Sequence, residues 1–213
     1  MPILQLENIN YGSAYYQGAN YNGTSGTFYV PQGVHRLLVF ASGGGGGAGN
    51  NGTSFVGCGG GGAGGYLWLA VTPGQAFPYI VGGGGSSPSG VGVGGNGGDT
   101  TVAGLTYGGG AGGGEDTGGA GGLINGSNSN TIYQAGSEGG EGGFMQNGVA
   151  YSGGAFSWTF LSGFGPSSGG TNGLYGGAAG IPIQSVPTGY AAPGFGGASL
   201  GAQGTPGIVI FMW

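Results

Sequence analysis

The chain has no lysine and a single basic side chain, Arg36, against six acidic ones, and only 3% of its 213 residues are charged. Counterion release from phosphates needs several Lys or Arg, so neither nucleic-acid binding nor attraction to an anionic membrane is expected. One cysteine, Cys58, and one histidine, His35, exclude an intrachain disulfide framework and an ordinary structural zinc site. No apolar run approaches the length of a membrane span, so no membrane insertion is expected. No segment keeps helical apolar spacing for three turns without a glycine, which leaves essentially no α-helix. The first residues, Met1 to Asn8, have neither a basic nor a continuous apolar stretch, so export through a secretory leader is not expected.

What the chain does have is 65 glycines. They stand in blocks such as Gly43 to Gly47 and Gly108 to Gly114. Composition of this kind without a strict three-residue repeat normally signals disorder, because glycine buries no side chain and loses the most backbone freedom on ordering. The segments between the blocks contradict that. His35 to Phe40, Tyr66 to Val71 and Ile208 to Trp213 are β-branched and aromatic, as buried strands are.

Two regions are expected. Residues 1–26, with a short strand candidate at Ile3 to Ile9 and a Tyr/Asn/Gly stretch from Tyr11 to Tyr21, form an arm or attachment segment. Residues 27–213 form a glycine-rich β domain. Within it, Thr27 to Val34 reads as a strand ending in a Pro-Xaa-Gly turn. Tyr66 to Val71 and Ala76 to Val81 read as a hairpin about Thr72-Pro73-Gly74-Gln75, which has the proline and glycine positions of a type II turn. Pro78 lacks an amide donor, so its strand should lie at an edge or turn that residue from the ladder. Thr100 to Tyr107 is one further strand. Residues 144–195 are rich in aromatics, and Phe156, Trp158 and Phe160 alternate so as to share a face.

A glycine held in place costs roughly 0.5–1 kcal/mol against alanine, so ordered blocks must be compensated collectively. Extended threefold helices of the polyproline type solve this. Without side chains they approach closely enough for each amide to bond a neighbouring run, at about 1 kcal/mol net per bond. The expected fold is all-β: a small β-sandwich or barrel-like shell with glycine-rich loops packed as polyglycine II helices. A thin shell encloses rings poorly, so copies are expected to associate through the apolar strands into a homo-oligomer, such as a trimer.

No catalytic chemistry is legible. GxGxxG strings recur by chance in so glycine-rich a chain, and without lysine there is no phosphate-binding loop of the Walker type. His35 sits in a strand with no serine or carboxylate at telling spacing. Glu115, Asp116, Glu138 and Glu141 lie in glycine blocks without calcium-loop spacing, and nothing desolvates them as a glycosidase pair. No metal, no cofactor and no enzymatic activity are therefore expected. Aromatic side chains on loops of small residues suit recognition by stacking and hydrogen bonding. Those outside the strand pattern, Tyr151, Tyr175, Tyr190 and Phe195, are the candidate receptor-binding residues.

The order of segments resembles the glycine-rich domain at the tips of bacteriophage tail fibres and adhesins. The matching elements are Thr27 to Val34, Leu37 to Phe40 running into Gly43 to Gly47, Gly64 to Gln75, Ile80 to Gly85, Gly97 to Val102, and Gly204 to Ile210. The resemblance covers about residues 27–213. It implies a β-shell with projecting polyglycine loops, a place in the virion after assembly in the host cytoplasm and release by lysis, and a bacterial surface glycan or outer-membrane protein as receptor. Such fibre domains usually end a long shaft, whereas here only residues 1–26 precede the domain. A separate tip or accessory protein, joined to other virion proteins through that arm, is the expectation. A capsid-decorating or fibre-capping subunit is the alternative.

Overall fold

The computed structural model describes residues 15–16, 25–52, 56–137, 144–146, 149–150 and 203–213. The strand candidate Ile3 to Ile9 and the Phe156, Trp158 and Phe160 face lie outside them. Among the described residues there are thirteen strands: β1 (Tyr15–Tyr16), β2 (Ser25–Tyr29), β3 (Arg36–Ser42), β4 (Val56–Gly57), β5 (Gly64–Ala70), β6 (Ala76–Ile80), β7 (Thr100–Val102), β8 (Leu105–Tyr107), β9 (Ile124–Gly126), β10 (Thr131–Ser137), β11 (Phe144–Gln146), β12 (Val149–Ala150) and β13 (Ile208–Met212). No helix occurs among the described residues.

Two five-stranded antiparallel sheets, β1-β13-β3-β5-β10 and β2-β6-β7-β8-β9, face each other as a sandwich that does not close into a barrel. A small third sheet, β12-β11-β4, stands apart. The strand period of two directs Leu37, Val39, Leu67, Leu69, Val209 and Phe211 of the first sheet onto Phe28, Phe77, Tyr79, Val102, Leu105 and Tyr107 of the second. Phe211 anchors this core. Its ring stacks on Phe28 with centroids 4.2 Å apart and meets Tyr79 edge-on at 5.6 Å. The expected burial of the C-terminal strand holds: β13 lies between β1 and β3, and Ile208 through Phe211 are buried.

The turns follow local chemistry. Gly74 takes φ +81° and Gln75 N–H donates to Thr72 O at 3.0 Å, as the Pro-Gly pair predicts. The expected hairpin does not form: β5 pairs with β3 and β10 and β6 with β2 and β7, so the turn carries the chain from one sheet to the other and lets both strands bury one face in the core between them. Pro78 is not on an edge strand, since β6 lies between β2 and β7. Instead it turns from the ladder. The Val30 N–H bond to Gln75 O sets the phase, so alternation leaves Thr27 opposite Pro78 at a pair without hydrogen bonds, and β7 pairs only with Tyr79 and Ile80. The single strand expected over Thr100 to Tyr107 is a hairpin, β7 and β8, because Ala103 (φ 52°) and Gly104 (φ 78°) both adopt the left-handed conformation of a tight two-residue turn.

Candidate functional site

At one end of the sandwich the strands do not turn back. They continue as glycine runs. Ser42 of β3 lies opposite Gly64 of β5 and Ile208 of β13, so runs 43–49, 57–63 and 204–207 leave from the same end of the first sheet. The register of Ile80, Thr101, Thr100, Tyr107 and Ile124 sends runs 82–87, 92–99, 108–114 and 118–122 from one end of the second. The two sets merge into one bundle.

Run 43–49 is buried throughout at its centre. Its amides point to successive neighbours with a period of three. Gly43, Gly46 and Gly49 donate to Ala63, Gly60 and Gly57 at 2.8–2.9 Å; Gly44 and Gly47 donate to Gly98 and Gly95; Gly45 donates to Thr205. Its carbonyls accept from Gly85, Gly110 and Gly113. A step of three on one run matched by a step of three on the next is the signature of the polyglycine II helix, whose threefold screw aims each N–H 120° from the last. Direction is immaterial to such a lattice. Runs 108–114 and 43–49 run the same way, while runs 43–49 and 57–63 run oppositely. The glycine blocks are thus ordered backbone, as the packing argument predicts.

Glycine is obligatory here for want of space. A Cβ on Gly46 would fall inside the contact distance of Ala111 O, one on Gly47 inside that of Ser86 O, and one on Gly113 inside that of Gly57 O. Side chains enter only where the lattice leaves room, as at Ala48, Cys58 and Ala63, each fully buried. Burial pushes the Cys58 thiol up to about 11, which makes it a packed group and a poor nucleophile at neutral pH. Tyr107, buried where sandwich meets bundle, is also raised by burial, and its hydroxyl has no hydrogen-bond partner among the described residues.

The far end of the bundle is the candidate site. A seven-residue run at 3.1 Å per residue carries its loop roughly 20 Å beyond the sandwich. Residues 50–52, 87–92 and 115–117 meet there. Asn50 and Gly92 exchange backbone hydrogen bonds at 2.8 and 2.7 Å, Ser87 Oγ donates to Ala48 O at 3.0 Å, and Asn51 Nδ2 donates to Asp116 Oδ1 at 2.7 Å. Asn50 Oδ1 also accepts from Gly52 N, fixing the first bend. Val91 and Val93 stand 63% and 64% exposed beside these polar groups. The result is a braced surface of amides, hydroxyls and two aliphatic side chains, whose charges are the exposed carboxylates of Glu115 and Asp116.

The sequence candidates Tyr151, Tyr175, Tyr190 and Phe195 lie outside the described residues. Their described flank is informative all the same. β11 pairs with β4, Phe144 opposite Gly57 and Met145 opposite Val56, at the far end of run 57–63. β12, paired with β11, ends at Ala150. The residue before Tyr151 is therefore held at the distal end. His35 is exposed at the opposite end of β3, away from Glu115 and Asp116; Glu138 and Glu141 lie outside the described residues. Among the described residues no three His, Cys, Asp or Glu side chains are grouped to hold a metal. Sequence reasoning missed the contribution of Asn50, Asn51, Ser87 and Asp116. Their signal was there, as turn-forming Asn, Ser, Pro and Asp at the breaks between glycine runs. No curated protein matches the chain. Residues 19–213, nearly all of the sandwich and its bundle, match the family described as a glycine-rich domain, and to that family the chain belongs.

Proposed function

We propose that this chain is a non-enzymatic bacteriophage virion protein, a tail-fibre tip or receptor-binding adhesin that contacts a glycan or an outer-membrane protein of the bacterial surface. One observation carries the reading. A bundle of backbone hydrogen bonds holds loops roughly 20 Å from the sandwich. Loops fixed by a rigid base lose little entropy on contact, which favours recognition over chemistry. The aromatic segment that begins at Tyr151 follows directly from a strand on that end. Residues 1–26 are the proposed attachment to other virion proteins. The resemblance to fibre tips points the same way.

The test is adsorption. Purified protein should compete with virions for host cells, and the Tyr151→Ala, Tyr175→Ala, Tyr190→Ala triple variant should compete more weakly, by roughly 1–3 kcal/mol per lost stacking contact. A folded triple variant that competes as well as wild type removes the aromatic site. Failure of wild type to compete at all, with antibody labelling over the capsid shell instead of the tail tip, replaces adhesion with the decorating or capping role.

A further inference from the structure

The donors of run 108–114 leave in three directions. Gly108, Ala111 and Gly114 bond Leu123, Ala120 and Thr117, and Gly110 and Gly113 bond Gly44 and Gly47. The third row, Gly109 and Gly112, faces the bundle's flank, where no further glycine run bonds it among the described residues. Its partners are side chains. Asp99 Oδ1 accepts from Gly109 N and Asn96 Oδ1 from Gly112 N, both at 2.9 Å. These two acceptors stand three residues apart on run 92–99, matching the spacing of the donors they meet. They belong to that run's exposed row, Val93, Asn96 and Asp99. The other rows of the same run are spent inside: Gly94 and Gly97 bond Gly113 and Gly110, while Gly95 and Gly98 bond Ser86 and Gly83.

We propose that Asn96 and Asp99 form a lateral stop, taking the places that carbonyls of another polyglycine run would occupy and so keeping the bundle from joining the bundle of a second copy. The flank of a polyglycine lattice poses the problem of a sheet edge. A row of unpaired N–H groups on flat backbone is a template for another chain. A protein with 3% charged residues has little general repulsion to oppose that. Here the side-chain oxygens satisfy the row, and their Cβ atoms hold a second backbone away. Asp99 adds a negative charge that would be desolvated if the flank were covered. Any self-association of this protein is thereby directed to other surfaces.

The test compares three full-length variants by sedimentation over a range of concentrations and by amide exchange. Asn96→Gly with Asp99→Gly bares the row and should raise the mass with concentration above the wild-type state. Asp99→Asn keeps the acceptor, loses only the charge, and should sediment as wild type. Asn96→Ala with Asp99→Ala removes the acceptors but keeps the Cβ atoms, so Gly109 and Gly112 should exchange roughly tenfold faster than in wild type, with the mass unchanged. A folded double-glycine variant with wild-type mass at every concentration overturns the proposal. Should that variant not fold, the alanine variant decides: unchanged exchange at Gly109 and Gly112 overturns the capping role, and faster exchange upholds it.

Discussion

The sandwich and the bundle are built from the same strands, yet they are held by opposite means. In the sandwich, side chains make the contact: Leu37, Leu67, Leu69 and Leu105 are fully buried, and Phe211 stacks on Phe28. The backbone ladder there spaces the strands and the rings fill between them. In the bundle the side chains have been removed, and peptide groups bond one another directly around Gly43 to Gly49. One half tolerates changes of shape that preserve volume; the other tolerates almost no added atom. Glycine here is a packing residue, suited by its smallness as leucine is by its bulk.

The largest effect is expected where volume is added to the bundle, which has none to spare. Gly46→Val should destabilise by more than Leu37→Ala, whose expected cost is about 2–5 kcal/mol for a buried truncation, because the new side chain would strike Ala111 backbone that cannot move without breaking neighbouring bonds. Urea unfolding followed by circular dichroism should show it. If Gly46→Val is as stable as wild type, the lattice is not close-packed.

A smaller effect separates the halves by pH. The Cys58 thiol, at 9.0 when unburied, is held at about 11 in the folded bundle. The folded state thus keeps its proton more tightly than the unfolded state does. Its contribution is fully present below pH 9 and is lost as pH rises from about 9 to about 11, on the order of 2–3 kcal/mol in all. Cys58→Ala should flatten the fall in melting temperature over that window. Burial of Tyr107 acts in the same direction at higher pH. The alkylation rate of the wild-type thiol at pH 8 should likewise follow unfolding, slow in the native protein and fast in denaturant.

The smallest effect belongs to the sandwich's turns. Gly74 has a positive φ of +81° but nothing within 4 Å of a Cβ placed there. Gly74→Ala should then cost only the backbone strain, about 1 kcal/mol, with the same urea midpoint assay. A cost equal to that of Gly46→Val would mean that conformation, and not space, makes glycine necessary in both regions.

Much of this fold is legible in the residues. The Val/Ile/Leu/Phe runs mark β3, β5, β6 and β13, and Pro73-Gly74 marks the turn between β5 and β6, though not that this turn carries the chain from one sheet to the other. β9 and β10 were not legible. Ile124-Asn125-Gly126 and Thr131 to Ser137 carry weak strand patterns and are aligned by their neighbours, with Asn128 Nδ2 donating to Ala103 O at 2.8 Å to tie two turns together. The hairpin at Ala103-Gly104 was hidden because alanine does not announce a left-handed turn. For the candidate site, the glycine blocks predict a bundle, but which loops share its far end is set by the pairing of runs distant in sequence. Asn51 and Asp116, 65 residues apart, meet only because of it.

The period of three in the bundle also sets a rule for insertions. Adding one residue within run 43–49 would rotate every later amide by a third of a turn, so that the donor of Gly47 would aim away from Gly95 and the side chain of Ala48 would swing towards a neighbour's backbone. Adding three to one run restores the directions but leaves its partner too short. Only matched triplets in paired runs extend the bundle without loss. Length changes in such a chain should therefore be common in the loops beyond Gly49, Ser87 and Gly114, and inside the runs should come only in multiples of three.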